Sequence, residues 1–394
     1  MRIGILTFHK AINYGAYLQA FSLSKKLQEQ FPEDEVEIVD YIAPKEKKRK
    51  LYVFLWNIKH HGIGGGFSEW KRIHTFRSMQ KYLPCSPKSF CTSRLHKLYA
   101  YIDQRYDMLI IGSDAVFNWN QTKFPTAYIP DYPFHIPVYT YAASVHGLRY
   151  HEEPVERLEK CGRIFDTMKY IGVRDACSEQ FVKDCSQSAY PLHCCDPTLF
   201  IDTEELKNRG DSVIDKIKNR YDFSLDSKYI VIMAPDSAMT KAIAKTYGGE
   251  YTLISVFVRS ADSELYLSDL NPFEWAVVLK KAALVVTSYF HGTLLSLVQG
   301  TPAVVLDYSG YCDTCYESKL KDLMITRLSL PELYYDQKDA VSFNESSDFL
   351  KKTEELLAGK YDEKIKNEIT KEQQGLHKFL KVLEDDMHRQ KSTC

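Results

Sequence analysis

Several absences narrow the reading of this 394-residue chain. No apolar run approaches the length needed to span a bilayer. The opening Met1-Arg-Ile-Gly-Ile-Leu-Thr-Phe8 turns polar too soon for a secretory signal and reads as a first β-strand, so the expected location is the cytoplasm. Fifty-one Lys and Arg against 52 Asp and Glu leave a net charge of −1, so no global field points to nucleic acid, and no nucleic-acid partner is expected. Neither G-x-G-x-x-G nor the Walker A pattern occurs, which removes the standard nucleotide signatures. No repeat of fixed period is present, which argues against solenoids and propellers. Cysteine is plentiful at ten, but without a secretory start it reads as reduced thiol. Cys312-Asp-Thr-Cys315 is a lone C-x-x-C, and Cys194-Cys195 makes a poor second pair, so no metal site is expected.

What is present describes an α/β protein. An apolar fraction of 44% can fill substantial cores, and 27 Tyr with 20 Phe suit either those cores or surfaces that stack on sugars. Strand Arg2–Phe8, helix Ala16–Gln30 and strand Val36–Ile42 form a β-α-β unit, which implies a right-handed crossover and a parallel sheet. Further strands are predicted at Tyr106–Gly112, Val138–Ser144 and Tyr170–Val173, with helices at 68–81, 153–168 and 176–183. From Tyr229 a second series follows: strand, helix 237–247, strand 251–258, helix 272–282, strand 284–287, helix 291–299, strand 303–306. The expected division is an N-terminal domain over 1–200, a linker and surface helix over 201–228, a C-terminal domain over 229–340, and charged helices over 341–394. Two Rossmann-like domains in succession imply a cleft. Ligands of such sheets bind at the carboxyl ends of the strands, which selects the loops after Phe8, Ile111, Tyr141, Val173 and Thr287.

The stretch Val285 to Pro302 carries the most chemistry. An apolar strand enters a short polar turn, His291 follows, Gly292 and Thr293 open an apolar helix, and Gly300 ends it. His291 thus lies where backbone N–H groups and the helix dipole favour an anion. A titratable imidazole there suits phosphate or carboxylate chemistry, although a capping or core histidine fits the same pattern. Asn13 and Gly15 sit in a strand-to-helix loop that could cradle a phosphate or simply cap a helix. Ile111-Gly-Ser113-Asp114 ends a strand; Asp114 could orient a sugar hydroxyl, act as a base or cap a helix. Gly172-Val-Arg174-Asp175 brings a guanidinium to a strand end, the natural fork for carboxylate or phosphate but also a common salt-bridge former. Arg259, just past strand 251–258, is a second candidate cation.

These pieces together resemble the polysaccharide pyruvyl transferase family. The matching residues are Asn13-Tyr-Gly-Ala16 with Leu18-Gln19-Ala20, Gly112-Ser-Asp114, Tyr141-Ala-Ala-Ser144, Val173-Arg-Asp175 with Ser178, Asp196-Pro197, and Ser288 to Thr293. They occur in the family's order and span roughly residues 1–310. The resemblance implies a two-domain fold like the glycosyltransferase B arrangement. It also implies an enzyme that builds a pyruvate ketal on a hexose of a bacterial surface polysaccharide or its lipid-linked precursor. Phosphoenolpyruvate would be the donor substrate, with no cofactor. His291 would be the general acid and Arg174 a ligand of the donor anion, with Tyr289, Phe290 and Ser144 as further substrate-binding positions. The chain departs from the family at Tyr289, where many members carry an arginine, and at Ala115 and Phe117, where Gln and Trp are common. Two other readings share the sequence features: a glycosyltransferase of like architecture using a nucleotide sugar, and a non-catalytic sugar- or anion-binding relative.

The segment Lys45 to Trp56 joins a basic run to Tyr, Phe and Trp. That pattern suits a peripheral contact with a membrane carrying a polyprenyl-linked sugar acceptor. A solvated turn followed by a core helix is the alternative.

Overall fold

The computed structural model describes residues 1–202, 206, 210–308, 318–336 and 348–393. Cys312 and Cys315, and with them any metal role, lie outside the described residues. The chain divides into two compact units, Met1–Ile201 with Gln373–Cys394, and Asp202–Glu372.

The first unit is built on a six-stranded sheet in which every pairing is parallel. Its strands are β1 (Arg2–Leu6), β2 (Glu35–Ile38), β3 (Met108–Asp114), β4 (Val138–Ala143), β5 (Tyr170–Val173) and β6 (Pro191–His193), in the spatial order β2-β1-β3-β4-β5-β6. The Leu109-Ile-Ile111 run and Tyr139 and Tyr141 are buried outright, as strands covered on both faces must be. On one face the final helix, Asp362–Thr393, sets Phe379 against the rings of Tyr141 and Tyr170, at 4.7 and 5.2 Å. On another, Phe117, Phe165 and Phe181 form an aromatic cluster with centroids 5.3–6.1 Å apart.

The second unit carries β7 (Tyr229–Met233), β8 (Thr252–Val256), β9 (Leu265–Leu267), β10 (Leu284–Thr287), β11 (Ala303–Asp307) and β12 (Tyr334–Asp336), again all parallel, in the order β12-β11-β10-β7-β8-β9. This is the strand order of the doubly wound dinucleotide-binding sheet. In both sheets the winding reverses direction once. The switch falls between β1 and β3 in the first sheet and between β7 and β10 in the second.

The structure redraws the expected division in three places. Of the expected linker and surface helix over 201–228, the helix Gly210–Tyr221 is part of the second unit: it buries Val213 and Ile217 and pairs Arg220 with Asp269 and Glu274. The charged tail is shared between the units, its helix Asp348–Leu357 in the second and the portion from Gln373 in the first. Residues 44–79 form one long helical element, broken at Gly62 (φ 67°), where the sequence suggested a helix only from 68. The strands β6, β9 and β12 were not legible either. Each is a three-residue edge strand, too short to show a period.

Candidate functional site

Each switch point gathers the polar residues of its own unit. In the first, β1 and β3 are adjacent, and the hydroxyl of Thr7 donates to the carbonyl of Ser113 (3.2 Å). Gln19, from the helix Tyr14–Gln30, donates to Thr7 Oγ1 (2.9 Å) and accepts from Ser113 Oγ (2.5 Å). Ser113 is fully buried, so its hydroxyl locks the β3 end to the first helix instead of offering itself to a ligand. Gly112 has φ 121°, a conformation open to glycine, and a Cβ there would collide with the carbonyl of Tyr141. Asp114 follows with φ 77°, a left-handed conformation that asparagine and aspartate tolerate best. Asn13 is exposed and caps the helix Tyr14–Gln30 through Ala16 N (3.1 Å); Gly15 is buried in that helix's first turn.

Arg174 is the centre of this edge. It is 5% exposed, and its guanidinium donates to Asp196 Oδ2 (2.6 Å) and lies 3.5 Å from Asp114 Oδ1. Burial works against its charge, but the attraction of Asp196, Asp114 and Asp175 outweighs it and holds its pKa above the ordinary value. The fork expected to take a donor anion is thus engaged by two carboxylates that strap the ends of β3, β5 and β6 together. Ser144 is fully buried and donates to Asp175 Oδ2 (2.5 Å). Asp175 in turn caps the helix Ala176–Cys185 through Ser178 N (2.9 Å). Ser113, Ser144 and Arg174 therefore build and brace this edge. Asp114, half-buried, and Asn13 are the expected residues that reach its surface.

Beside β1 a second charged group appears that sequence reasoning did not select. His9 is fully buried, with Nε2 3.2 Å from Asp40 Oδ1, and Lys10 pairs with the same carboxylate. Burial raises the pKa of Asp40, yet hydrogen bonds and charges from His9 and Lys10 override it and bring the group to about 2. Nothing in the local sequence couples residues 9, 10 and 40. Parallel pairing of β1 with β2 does so.

In the second unit the switch point holds the His291 turn. The strand β10 ends at Thr287, Ser288 N donates to the carbonyl of Met233 at the end of β7 (3.0 Å), and the helix Phe290–Val298 begins. Gly292 sits in close quarters here, where a Cβ would stand 2.9 Å from both Met233 Cε and Thr287 Oγ1 and displace one of them. His291 is half-buried in the helix's first turn. Tyr289 occupies the N-cap position without a side-chain cap hydrogen bond, unlike Asn13, Asp175, Ser237 and Asn271 at their helices. The residue is 37% exposed, and its ring stands edge-on to Phe257 (5.1 Å). Phe290, expected at the ligand surface, is instead buried, its ring centroid 5.4 Å from that of His291 and 5.6 Å from the Lys319 ammonium. It supports the histidine from within the domain.

The loop after β8 reaches the same edge. Phe257 has φ 70°, a strained conformation for an aromatic residue, and its ring is wedged between Trp275 (5.2 Å) and Tyr289. Two residues on, Arg259 is exposed and has no hydrogen-bond or ion-pair partner among the described residues. Phe257 was not selected from sequence, since only its backbone angle marks it. No group of His, Cys, Asp and Glu among the described residues is arranged to hold a metal ion.

Two parallel, doubly wound sheets with polar groups gathered at their switch points define a two-domain Rossmann-like fold of the glycosyltransferase B type. Among solved structures, the likeness to one supports this fold. A UDP-GlcNAc 2-epimerase from Neisseria meningitidis, bound to UDP-GlcNAc, superposes with a TM-score of 0.59 at 9% identity, over 98% of this chain and 100% of that one. A UDP-GlcNAc 2-epimerase from Methanocaldococcus jannaschii gives 0.49 at 10% identity, covering 91% and 93%. A UGT transferase from Siraitia grosvenorii, in complex with UDP, gives 0.47 at 11% identity, covering 97% and 99%. No match is found among curated proteins. The polysaccharide pyruvyl transferase family matches residues 13–310, and the chain belongs to that family.

Proposed function

We propose that the protein transfers the three-carbon unit of phosphoenolpyruvate to two hydroxyls of a sugar, forming a pyruvate ketal on a hexose of a surface polysaccharide or its polyprenyl-linked precursor. The observation that carries this reading is the position of His291, in the first turn of a helix at the switch point of the second sheet, where an anionic ligand is favoured by the dipole and a proton can be delivered. His291 protonates the methylene carbon of the donor, and the adjacent carbon gains oxocarbenium character. One sugar hydroxyl adds there and its proton returns the histidine to its acid form. The carbon–phosphate oxygen bond breaks, the second hydroxyl closes the ring, and its proton leaves with inorganic phosphate.

The helix Phe290–Val298 and Arg259 supply positive potential for the donor's carboxylate and phosphate. Arg259 takes over the charge that relatives place two residues before the histidine, where this chain has Tyr289. The Phe257 wedge supports that substitution, since it ties the Arg259 loop to the Tyr289 ring.

The test is phosphate release from phosphoenolpyruvate by the purified chain, with soluble hexosides and polyprenyl-linked sugars as acceptors and mass spectrometry of the product. Acceptor-dependent release with a pyruvyl adduct on the sugar is the expected result. Sugar transfer from a nucleotide sugar without phosphate release from phosphoenolpyruvate would overturn it in favour of a glycosyltransferase. Binding of sugar without turnover of either donor would leave a non-catalytic relative.

A further inference from the structure

The helical element Pro44–Met79 has two unlike faces. Its inner face is fastened to the first unit. Lys50 Nζ donates to the carbonyl of Lys10, Arg72 Nη2 to that of Ile12 (3.3 Å) and Gln80, just past the helix, to that of His9 (3.0 Å). Phe76 is buried with its ring 5.0 Å from Tyr14. Among the described residues nothing covers the outer face. Leu55, Trp56, Ile63, Phe67 and Trp70 are all exposed, and Ile63, one residue past the break at Gly62, is 88% exposed. The two arms close on each other at the tip, where the side chain of Ile58 lies against Gly66. Of the alternative reading, a turn followed by a core helix, the helix is present but these apolar side chains are exposed and not in a core.

Charge is distributed just as unevenly. The segment holds nine Lys or Arg and two acidic residues, Glu46 and Glu69, in a chain whose net charge is −1, so the remainder is acidic. Glu69 is buried, and Lys47, Lys48 and Arg49 are exposed together on the stem. Large apolar patches on a soluble surface mark an interaction site. An exposed apolar tip with aromatic residues beside it and a basic stem behind it fits one partner best. The apolar residues enter the boundary between headgroups and acyl chains, tryptophan favours that depth, and the lysines meet anionic headgroups. No helix among the described residues is long and apolar enough to cross a membrane, so the contact is one of lying on the surface.

We propose that the outer face of the hairpin Pro44–Met79 docks the protein on an anionic lipid bilayer. The same hairpin holds the loop after β1 at Lys10 and Ile12, and Gln80 just past it holds His9, so docking sets that loop, with Asn13 at its end, beside the lipid surface. The proposal does not rest on the reaction assigned above, because vesicle binding is read without turnover.

The experiment is co-sedimentation of the full chain with vesicles of phosphatidylcholine alone and of phosphatidylcholine mixed with phosphatidylglycerol. Binding to the anionic vesicles only, weakened by salt, is expected. Neutralising the stem with Lys47→Gln, Lys48→Gln and Arg49→Gln should lower the affinity roughly 100-fold, at about 1 kcal/mol per charge. Ile63→Asp with Phe67→Asp should abolish binding while the basic stem stays intact. All five residues are exposed, so thermal melting should match the wild type and confirm that folding is unaffected. Equal binding to both vesicle types, or binding unchanged in both variants, overturns the proposal. So does a dimer in solution that Ile63→Asp with Phe67→Asp dissociates while the wild type ignores vesicles, which would assign the face to a second copy of the chain.

Discussion

Replacing Arg174 by alanine separates two roles that a guanidinium at a strand end can have. In the structure this group is buried and bonded to Asp196 at 2.6 Å, with Asp114 at 3.5 Å. The Asp196 side chain is almost wholly buried, and its second oxygen caps the turn Pro197–Phe200 through Thr198 N (2.9 Å). Removing the arginine therefore takes the opposite charge away from a buried carboxylate that cannot turn to water without losing the cap. Breaking a buried pair from one side costs about 3–5 kcal/mol, a large share of the roughly 5–15 kcal/mol that holds a domain folded. Hydrogen exchange resolved to peptides from Met108–Asp114 and Tyr170–Val173 reports the stability of this edge directly, without requiring the two units to unfold together. In an Asp196→Asn background, which keeps the cap oxygen and removes the charge, the cost of Arg174→Ala should shrink by about 1–3 kcal/mol. Exchange unchanged within 1 kcal/mol, together with weakened binding of phosphoenolpyruvate, would refute this reasoning and return Arg174 to the donor site.

Three further outcomes follow from the two switch points. His291→Gln should abolish turnover while stability stays within about 1–2 kcal/mol of wild type, because the residue is half-buried at a helix start; near wild-type phosphate release would refute its role as the acid. Arg259→Ala should weaken phosphoenolpyruvate binding by about 1.5–3 kcal/mol without moving the melting temperature, since the side chain is exposed; calorimetry and a melting curve read the two separately. The carboxyl of Asp40, held near 2, is stabilising above its unfolded value near 4, and that contribution fades as pH falls through 2. Asp40→Asn should therefore cost about 2 kcal/mol at neutral pH, with the difference from wild type closing between pH 4 and 2; a pH-independent difference in urea midpoints would contradict the pairing with His9 and Lys10.

The sequence by itself determined the α/β class, the interior strands and the location of the His291 turn. Those depend on local physics. A run such as Leu109-Ile-Ile111, rich in β-branched residues and bounded by Gly112, favours a strand covered on both faces, and an apolar strand followed by a polar turn, Gly292 and an apolar helix favours a strand-turn-helix unit. The order of motifs through residues 13–310 likewise pointed to the family to which the chain belongs. What tertiary structure alone decided was which polar residues are available. Ser113, Ser144 and Arg174 carry the same chemistry in the sequence as Asn13, Asp114 and Arg259. Yet the first three are buried and bonded across strand ends separated by tens of residues, while the others are exposed or half-buried. Pairing of β1 with β2 and β3 joined His9 to Asp40 and Thr7 to Ser113, contacts that no period in the chain encodes. Residues 44–79 show the same division of labour. Their basic and apolar composition was plain in the sequence, but whether Ile63 and Phe67 faced a core or the solvent depended on how the inner face was tied down by the loop after β1, and so on the folded sheet.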